Sequence, residues 1–566
     1  MKLEYNPFDV QRLIGSVAEV HPTFIKVNFP SSELAKQKSI YGFELNEGYV
    51  GEFAVIEENN FAIFGKITSV QLPDSEKPIV EKSFNLSKQV HPIGMIQLLS
   101  CIDTSNDEVV KGISIYPKIG AKVYAAHPTH LKHLVEWSSA SKNAIAPISL
   151  EMASLSNSKI TNIKIPAEDL FGRHCAILGS TGSGKSWTIA KLIEESSKFN
   201  SRLILVDATG EFHTLKNKVQ KVYLGRALAP PTGFTEVVIP HTSLYESDLF
   251  AMLRPSGLVQ GPKLRAAIKT LKLLKLVPVL ANNGIFRKAG VNKTQYEASM
   301  KTNIRSIESP IADFDIKKLV SQIDEECVYL NDFNNTNLWG KEDPNAKSNC
   351  VSLLTRIDDI INSPDLDCIF NPVGKISLYD ILNSFLAQNI NTILLISLKH
   401  LSFAHYTREL IANAIGRFIL GKARTNSFSN KPLVLFVDEA HQFLNKVLGD
   451  ENNRYPLDQF ELIAKEGRKH SLNICISTQR PRDIPEGILS QMGTLIVHRL
   501  INDKDREVVE RAAGEIDRSA AAFLPNLTPG QAIIIGVNFP LPVTLKINEP
   551  SEKPESEGAD YQKYWS

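Results

Sequence analysis

Gly179-Ser180-Thr181-Gly182-Ser183-Gly184-Lys185-Ser186 fits the phosphate-binding loop pattern G-x-x-x-x-G-K-[ST] at every fixed position. The flanks supply the context that the chemistry needs. His174-Cys175-Ala176-Ile177-Leu178 reads as a short buried strand, and Trp187-Thr188-Ile189-Ala190-Lys191-Leu192-Ile193 sets apolar residues at helical spacing. Glycines let the backbone curl so that its N–H groups face inward, and the helix N-terminus adds its positive end. Gly179 to Trp187 is therefore the expected nucleotide-binding stretch, with Lys185 reaching the β/γ-phosphates and Ser186 ligating Mg2+. A Gly/Ser-rich loop that matched by chance would not carry these flanks.

The 566 residues are enough for roughly three to four domain-sized units, and 43% apolar content is ample for packed cores. Formal net charge is +1, so any nucleic-acid site must be a local patch, such as the lining of a pore. Cys101, Cys175, Cys327, Cys350, Cys368 and Cys475 form no C-x-x-C pair, which argues against a disulfide framework or zinc site and fits a reducing cytosol. Met1 to Pro7 holds no apolar signal core, and no run of 18 apolar residues offers a membrane span. The expectation is a cytoplasmic protein with no membrane partner.

Residues 1–145 read as β-rich, with short strands at Gly15–Val20, Phe24–Phe29, Phe53–Ile56 and Phe61–Ile67. Their spacing predicts a small barrel, with Glu57–Asn60 as a hairpin turn. From residue 146 the pattern changes to an α/β core in two parts, 146–239 and 386–548. Arg202–Val206, Thr392–Ser397, Leu433–Val437 and Asn473–Ser477 are apolar throughout, as strands of a parallel sheet covered on both faces are. Residues 240–385 read as a helical insertion. There Leu264, Ile268, Leu271 and Leu274 form one stripe, and Lys269, Lys272 and Lys275 another. The basic stripe is read as a solvated face, with a DNA contact as the other reading. Residues 549–566, rich in Pro, Glu and Ser, are expected to be a mobile tail.

Leu433–Val437 followed by Asp438-Glu439-Ala440-His441 has the form of a Walker B strand. Asp438 would hold Mg2+ together with Ser186, and Glu439 would polarise the attacking water as general base; a helix cap is the plainer alternative. In Ser477-Thr478-Gln479-Arg480-Pro481, Gln479 stands at a strand's carboxyl end, where it can sense a γ-phosphate or merely form a turn. Arg468 and Arg173 are candidates for neutralising transition-state charge, an effect that supplies about 10³–10⁵ in rate. Arg173 precedes the phosphate-loop strand, at the end away from the loop, and so would serve a neighbour's site. A surface salt bridge is the ordinary reading of either arginine. Asp-Glu-Ala-His also invites a two-core helicase reading, but the chain after Asp438 is too short for a second core. A single-core motor must borrow its second face from another subunit, which argues for a ring.

Taken in order, these elements resemble the HerA family of the FtsK–HerA ATPase superfamily. The β-rich N-terminus is similar to that family's barrel domain, and His174–Ser186 to its Walker A region. Asp207-Ala208-Thr209-Gly210-Glu211-Phe212 looks like its Asp-x-x-Gly-Glu-aromatic signature. Glu466-Gly467-Arg468-Lys469 and Ser477–Pro481 resemble the stretches carrying its trans-acting arginine and sensor glutamine, and Gly530–Gly536 its final core strand. The resemblance implies a RecA-like P-loop ATPase core behind an N-terminal barrel. It also implies a homohexameric ring that encloses double-stranded DNA and translocates along it with ATP and Mg2+. Relatives of this kind act beside a nuclease in DNA-end resection, or beside nuclease or sirtuin-like NAD-hydrolysing effectors in antiphage defence. No motif for DNA-contacting residues carries over. Lys446 and Arg454, beside the loop-like Asn452-Asn453-Arg454-Tyr455-Pro456, are candidates whose default reading is surface exposure. The alternative from another class is an ATP-binding ring scaffold that assembles and activates an effector without translocating.

Overall fold

The computed structural model describes residues 5–30, 37–40, 43–46, 48–73, 91–137, 147–156, 158–444, 446–449, 454–514, 518–555 and 565. Asn452, Asn453 and the tail residues 556–564 and 566 lie outside the described residues. The chain divides into two units, Met1–Ser201 with Asn473–Ser566, and Arg202–Leu472.

In the first unit, strands with alternating polarity turn one apolar face inward. Six of them pair in the order Phe24–Asn28, Leu13–Val20, Lys122–Ala125, Phe53–Glu58, Phe61–Gln71 and Ile93–Asp103. Ile93–Asp103 then pairs back to Phe24–Asn28, which closes the barrel, and Glu108–Lys111 adds an outer edge. Ile14, Val17, Ile25, Ile56, Ile63 and Ile96 fill the interior. The hairpin turn is tighter than expected. Glu57 and Glu58 stay in the strand, and Asn59 makes the turn at φ 50°, a left-handed conformation that Asn tolerates.

The same unit holds a second sheet around the phosphate-loop strand Cys175–Leu178. That strand runs parallel to both Leu472–Thr478 and Thr494–Val497. Beyond Thr494–Val497 the expected parallel order fails. Gln531–Gly536, Val543–Ile547, Ser149–Leu155 and Ser158–Pro166 follow in sequence, each antiparallel to the last. Gly530–Gly536 is therefore not the final strand, because the chain returns through the short link Val537–Pro542, and such a link can join only antiparallel neighbours. The tail is also anchored further than its composition implied. Ser551 donates from its backbone N–H to Glu194 at 2.6 Å, and the Lys553 ammonium stands 5.5 Å from the Trp187 ring centre.

In the second unit the neighbouring strands run parallel throughout: Leu433–Val437, Leu203–Asp207, Ile393–His400, Val219–Gly225, Thr235–Val238 and Ile376–Ser377. Helices dominate residues 240–385 as expected, including Gly257–Leu276, Thr294–Ile307 and Pro344–Ile361. Leu264, Ile268, Leu271 and Leu274 are buried. The lysine stripe is a solvated face only in part. Lys269 pairs with Glu308, Lys275 with Asp313 at 3.2 Å, and Lys272 is buried with its ammonium 3.3 Å from the Ile307 and Ser309 carbonyls. It ties the helix to the segment after Thr294–Ile307. Arg454, Tyr455 and Pro456, read as part of a loop, lie in the strand Arg454–Leu457 antiparallel to Lys446–Gly449, and Pro456 fits because the pair is an isolated two-stranded ribbon.

One barrel side chain makes a clear prediction. Lys66 is buried, with its ammonium 4.0 Å from the Phe523 ring centre and 5.5 Å from that of Phe53. Burial pushes its pKa down from 10.5 to about 8. The unfolded chain therefore binds the extra proton between pH 8 and 10.5, and stability rises with pH across that window. Below pH 8 the charged form costs on the order of 3 kcal/mol, of which the ring contacts return about 1–2. Lys66→Met should raise the melting temperature at pH 7. The gain over wild type should vanish as a melting series is carried from pH 8 to 10.5.

Candidate functional site

Phosphate binding by a loop requires backbone N–H groups held in a curve without side-chain help. Gly182 and Gly184 adopt φ 72° and 115°, and Gly184 opens the helix Lys185–Ser197 with no side chain capping it. A Cβ on Gly182 would meet nothing within 4 Å, so this side of the loop is open to a ligand. Lys185 is buried, and its ammonium donates to the Ser180 carbonyl at 3.1 Å across the mouth of the loop. That is where a phosphate oxygen would compete for it. The Thr181 hydroxyl donates to the Gln479 side-chain carbonyl. Gln479 is thus brought to the loop from the end of Leu472–Thr478, as its position in the sequence implied.

Sequence reasoning missed what braces this loop. His498, the residue after Thr494–Val497, is fully buried, and its N–H donates to the Leu178 carbonyl at 2.7 Å. Its ring stands 2.8 Å from the Gln531 carbonyl through Nδ1 and 2.8 Å from the Thr188 hydroxyl through Nε2. Burial, with the Lys185 charge adding to it, pushes its pKa from 6.5 to about 4. The ring is therefore neutral at pH 7. Nδ1 carries the proton toward the carbonyl, and Nε2 accepts from Thr188 in the first turn of the loop helix. A Cβ on Gly179 would lie 2.6 Å from His498 Cβ and one on Gly184 3.3 Å from His498 Cε1, so His498 packs directly on the loop. Two further backbone groups complete the frame. The Arg499 carbonyl accepts from Ser180 N–H at 2.9 Å, and Gly530 N–H donates to the Ser183 carbonyl at 2.9 Å. The only trace in the sequence is a histidine at a strand's carboxyl end.

In the second unit, parallel register aligns the carboxyl ends of three strands, with Val206 beside Val437 and Asp207 beside Ser397. Asp207 is fully buried. Its carboxylate accepts from the backbone N–H groups of Thr209 at 3.2 Å, Gly210 at 2.7 Å and Phe212 at 3.2 Å. It shapes the Asp-x-x-Gly-Glu turn, and burial raises its pKa. Asp438 is buried as well. Burial comes first, followed by the charges of Asp207, Glu439 and Glu211, and together they hold its pKa well above the usual carboxylate range. Glu439 sits at φ 45°, a conformation costing a non-glycine residue about 1–3 kcal/mol. Its Oε2 is buried and lies 3.2 Å from His441 Nδ1, outside hydrogen-bond geometry.

Among the described residues no three His, Cys, Asp or Glu side chains gather to hold a metal by themselves. That fits Mg2+, which takes one or two protein carboxylates and completes its shell with phosphate oxygens and water. The desolvated Asp438 suits such a role, since a bound cation would relieve the repulsion of its neighbours. Arg468 is exposed in the turn Gly467–His470 ahead of Leu472–Thr478, and Arg173 is exposed ahead of Cys175–Leu178.

Acid should act on the loop through His498. Its folded pKa of about 4 lies below the unfolded value, so the stability it contributes is complete above pH 6.5 and lost as pH falls toward 4. His498→Gln should flatten that part of a melting-temperature profile relative to wild type. At pH 7 it should weaken ATP binding about tenfold, since buried partners are left poorly paired.

Comparison with known proteins adds a family. Residues 150–344 match the model of the helicase HerA central domain, and residues 427–534 that of the helicase HerA-like C-terminal domain. The chain is 24% identical to a probable helicase of Methanocaldococcus jannaschii over 71% of each chain. It is 24% identical to the DNA double-strand break repair helicase HerA of Saccharolobus solfataricus over 88% of this chain and 87% of that one. Among solved structures it is similar to the bacterial conjugative coupling protein TrwB, with 14% identity, 77% of this chain and 95% of that chain covered, and a TM-score of 0.42. No helix among the described residues is long and apolar enough to cross a membrane. With both halves of the HerA core matched along more than half its length, the chain belongs to the HerA helicase family, ATP-hydrolysing P-loop enzymes of the FtsK–HerA superfamily.

Proposed function

We propose that this chain is an ATP-driven translocase and helicase on double-stranded DNA, working as a homohexameric ring. The observation that carries the reading is the open, left-handed turn of Gly182 and Gly184 at the start of Lys185–Ser197, with Lys185 spanning its mouth. In this reading Gly179 to Trp187 hold the nucleotide, and Lys185 pairs with the β/γ-phosphates. Ser186 and Asp438 ligate the metal. Glu439, whose buried Oε2 has no hydrogen-bond donor, orients the attacking water and draws its proton. Gln479, hydrogen-bonded to Thr181, registers the γ-phosphate. Mg2+ held by Ser186 and Asp438 would supply positive charge against the charge that develops on the phosphate. Arg468, with Arg173 as the second candidate, reaches the nucleotide of a neighbouring subunit, which makes a lone protomer nearly inactive. The barrel and the ring serve a separately encoded nuclease or NAD-hydrolysing, sirtuin-like effector, in DNA-end processing or antiphage defence. The relatives named as double-strand break repair helicases support the end-processing side of that choice.

The test is steady-state ATP hydrolysis with and without linear duplex DNA. Wild type should be stimulated by the duplex. Lys185→Ala should lose nucleotide binding, and Glu439→Gln should keep binding while turnover falls about 10²-fold or more. Hydrolysis indifferent to DNA would turn the reading to an effector-activating scaffold.

A further inference from the structure

The carboxyl end of Ile393–His400 carries a surface that the nucleotide chemistry does not use. The chain continues as Leu401-Ser402-Phe403-Ala404-His405-Tyr406 before the helix Thr407–Arg424 begins. His405 and Tyr406 are consecutive non-glycine residues at φ 57° and 55°, and Arg254, packed against them, is at φ 50°. Backbone of this kind is held only where its surroundings enforce it, and it gathers at functional loops. Here it displays aromatic and cationic side chains together. Phe403 is 75% exposed and Tyr406 36%. The Arg254 guanidinium lies 4.7 Å from the Tyr406 ring centre, and Arg356 donates to the Leu253 carbonyl at 3.3 Å beside it. Lys399 is exposed. Among the described residues none of Arg254, Arg356 and Lys399 forms an ion pair with a carboxylate.

The loop is tied to the acidic strand ends. Arg408 is buried, and its guanidinium donates to the Leu401 carbonyl at 2.9 Å, the Lys399 carbonyl at 2.7 Å and the Ala208 carbonyl at 3.3 Å. Ala208 is the neighbour of Asp207. A Cβ on Gly210 would lie 2.4 Å from Lys399 Cδ, so the lysine stem packs on the Asp-x-x-Gly-Glu turn itself.

We propose that Lys399, Phe403, His405 and Tyr406, with Arg254 and Arg356, form a contact surface for the phosphate backbone of DNA. The inference rests on the reading of the chain as a DNA-acting ATPase and adds where the DNA is held. Unpaired cations release counterions from a polyanion, and exposed aromatics beside them stack on sugars or bases without selecting a sequence. An apolar protein partner would leave the three cations unsatisfied, so charge favours the nucleic acid.

The experiment uses the full chain and a fluorescein-labelled blunt DNA duplex, titrated by anisotropy across a series of KCl concentrations. Arg254→Gln, Lys399→Gln and Phe403→Ala are compared with Lys301→Gln, which alters an exposed lysine of the insertion. Each of the first two should weaken binding about five- to tenfold and reduce the salt slope by about one, and Phe403→Ala should weaken binding without changing the slope. Lys301→Gln should match wild type. Melting temperature and solution mass are followed throughout. Equal affinity and slope in wild type and all variants would overturn the proposal while leaving the DNA-acting reading intact. Wild type that fails to bind the duplex would overturn that reading, and this proposal with it. Loss of binding accompanied by loss of assembly would reassign the surface to a contact between subunits.

Discussion

A loop that grips phosphate with backbone N–H groups gains affinity only if something other than the phosphate holds its shape. The hydrogen bonds of His498 meet that demand. One imidazole joins the loop helix at Thr188 to the Gln531 strand, and its own N–H is fixed to the phosphate-loop strand at Leu178. A charged ring would reverse one of these bonds, because protonated Nε2 would donate to the Thr188 hydroxyl, which would turn its own proton to the Gly184 carbonyl at 3.2 Å, and the Lys185 charge opposes that state. Burial keeps the ring neutral and so keeps the donor–acceptor sense of the bridge. The strands that bring His498 and Gln531 together are antiparallel, Val497 opposite Ile533, so the departure from an all-parallel sheet is also what supplies the brace.

The glycine-rich loop, the Walker B strand and the barrel hairpins were legible in the sequence because each rests on local pattern: spacing, alternation, turn residues. Gln479 could be placed for the same reason, since strand ends of a parallel sheet share one edge. The missed elements are those whose meaning is set by distant pairing. Val543–Ile547 and Ser149–Leu155 are too short and too mixed to declare an antiparallel edge, and their partners lie almost four hundred residues apart in the chain. Lys269, Lys272 and Lys275 have the spacing of a solvated face, but spacing cannot report that Glu308, Asp313 and the Ile307 and Ser309 carbonyls fold back onto them. His498 is a single polar residue in an apolar context, and only its burial and two ring partners give it a role.

Strain in the second unit falls, among other places, at residues whose side chains the proposed function uses. Glu439 follows the strand Leu433–Val437 at φ 45°, and His405 and Tyr406 come after Ile393–His400 at φ 57° and 55°. Glycine would adopt each of these conformations at little cost, as it does at Gly210 with φ 86°. The non-glycine positions accept about 1–3 kcal/mol apiece. At Glu439 the return is a carboxylate whose backbone turns sharply at the strand end, so that it leaves the line of Asp438 instead of continuing it. A glycine there would relax the turn and remove an acidic group beside Asp438 that, unlike Asp207, is not committed to backbone N–H groups and, unlike Glu211, is not carried by the Asp-x-x-Gly-Glu turn. Under the proposed mechanism the fold thus keeps strain where relief and function exclude each other, and at Gly210, where Lys399 packs against bare backbone, it uses glycine.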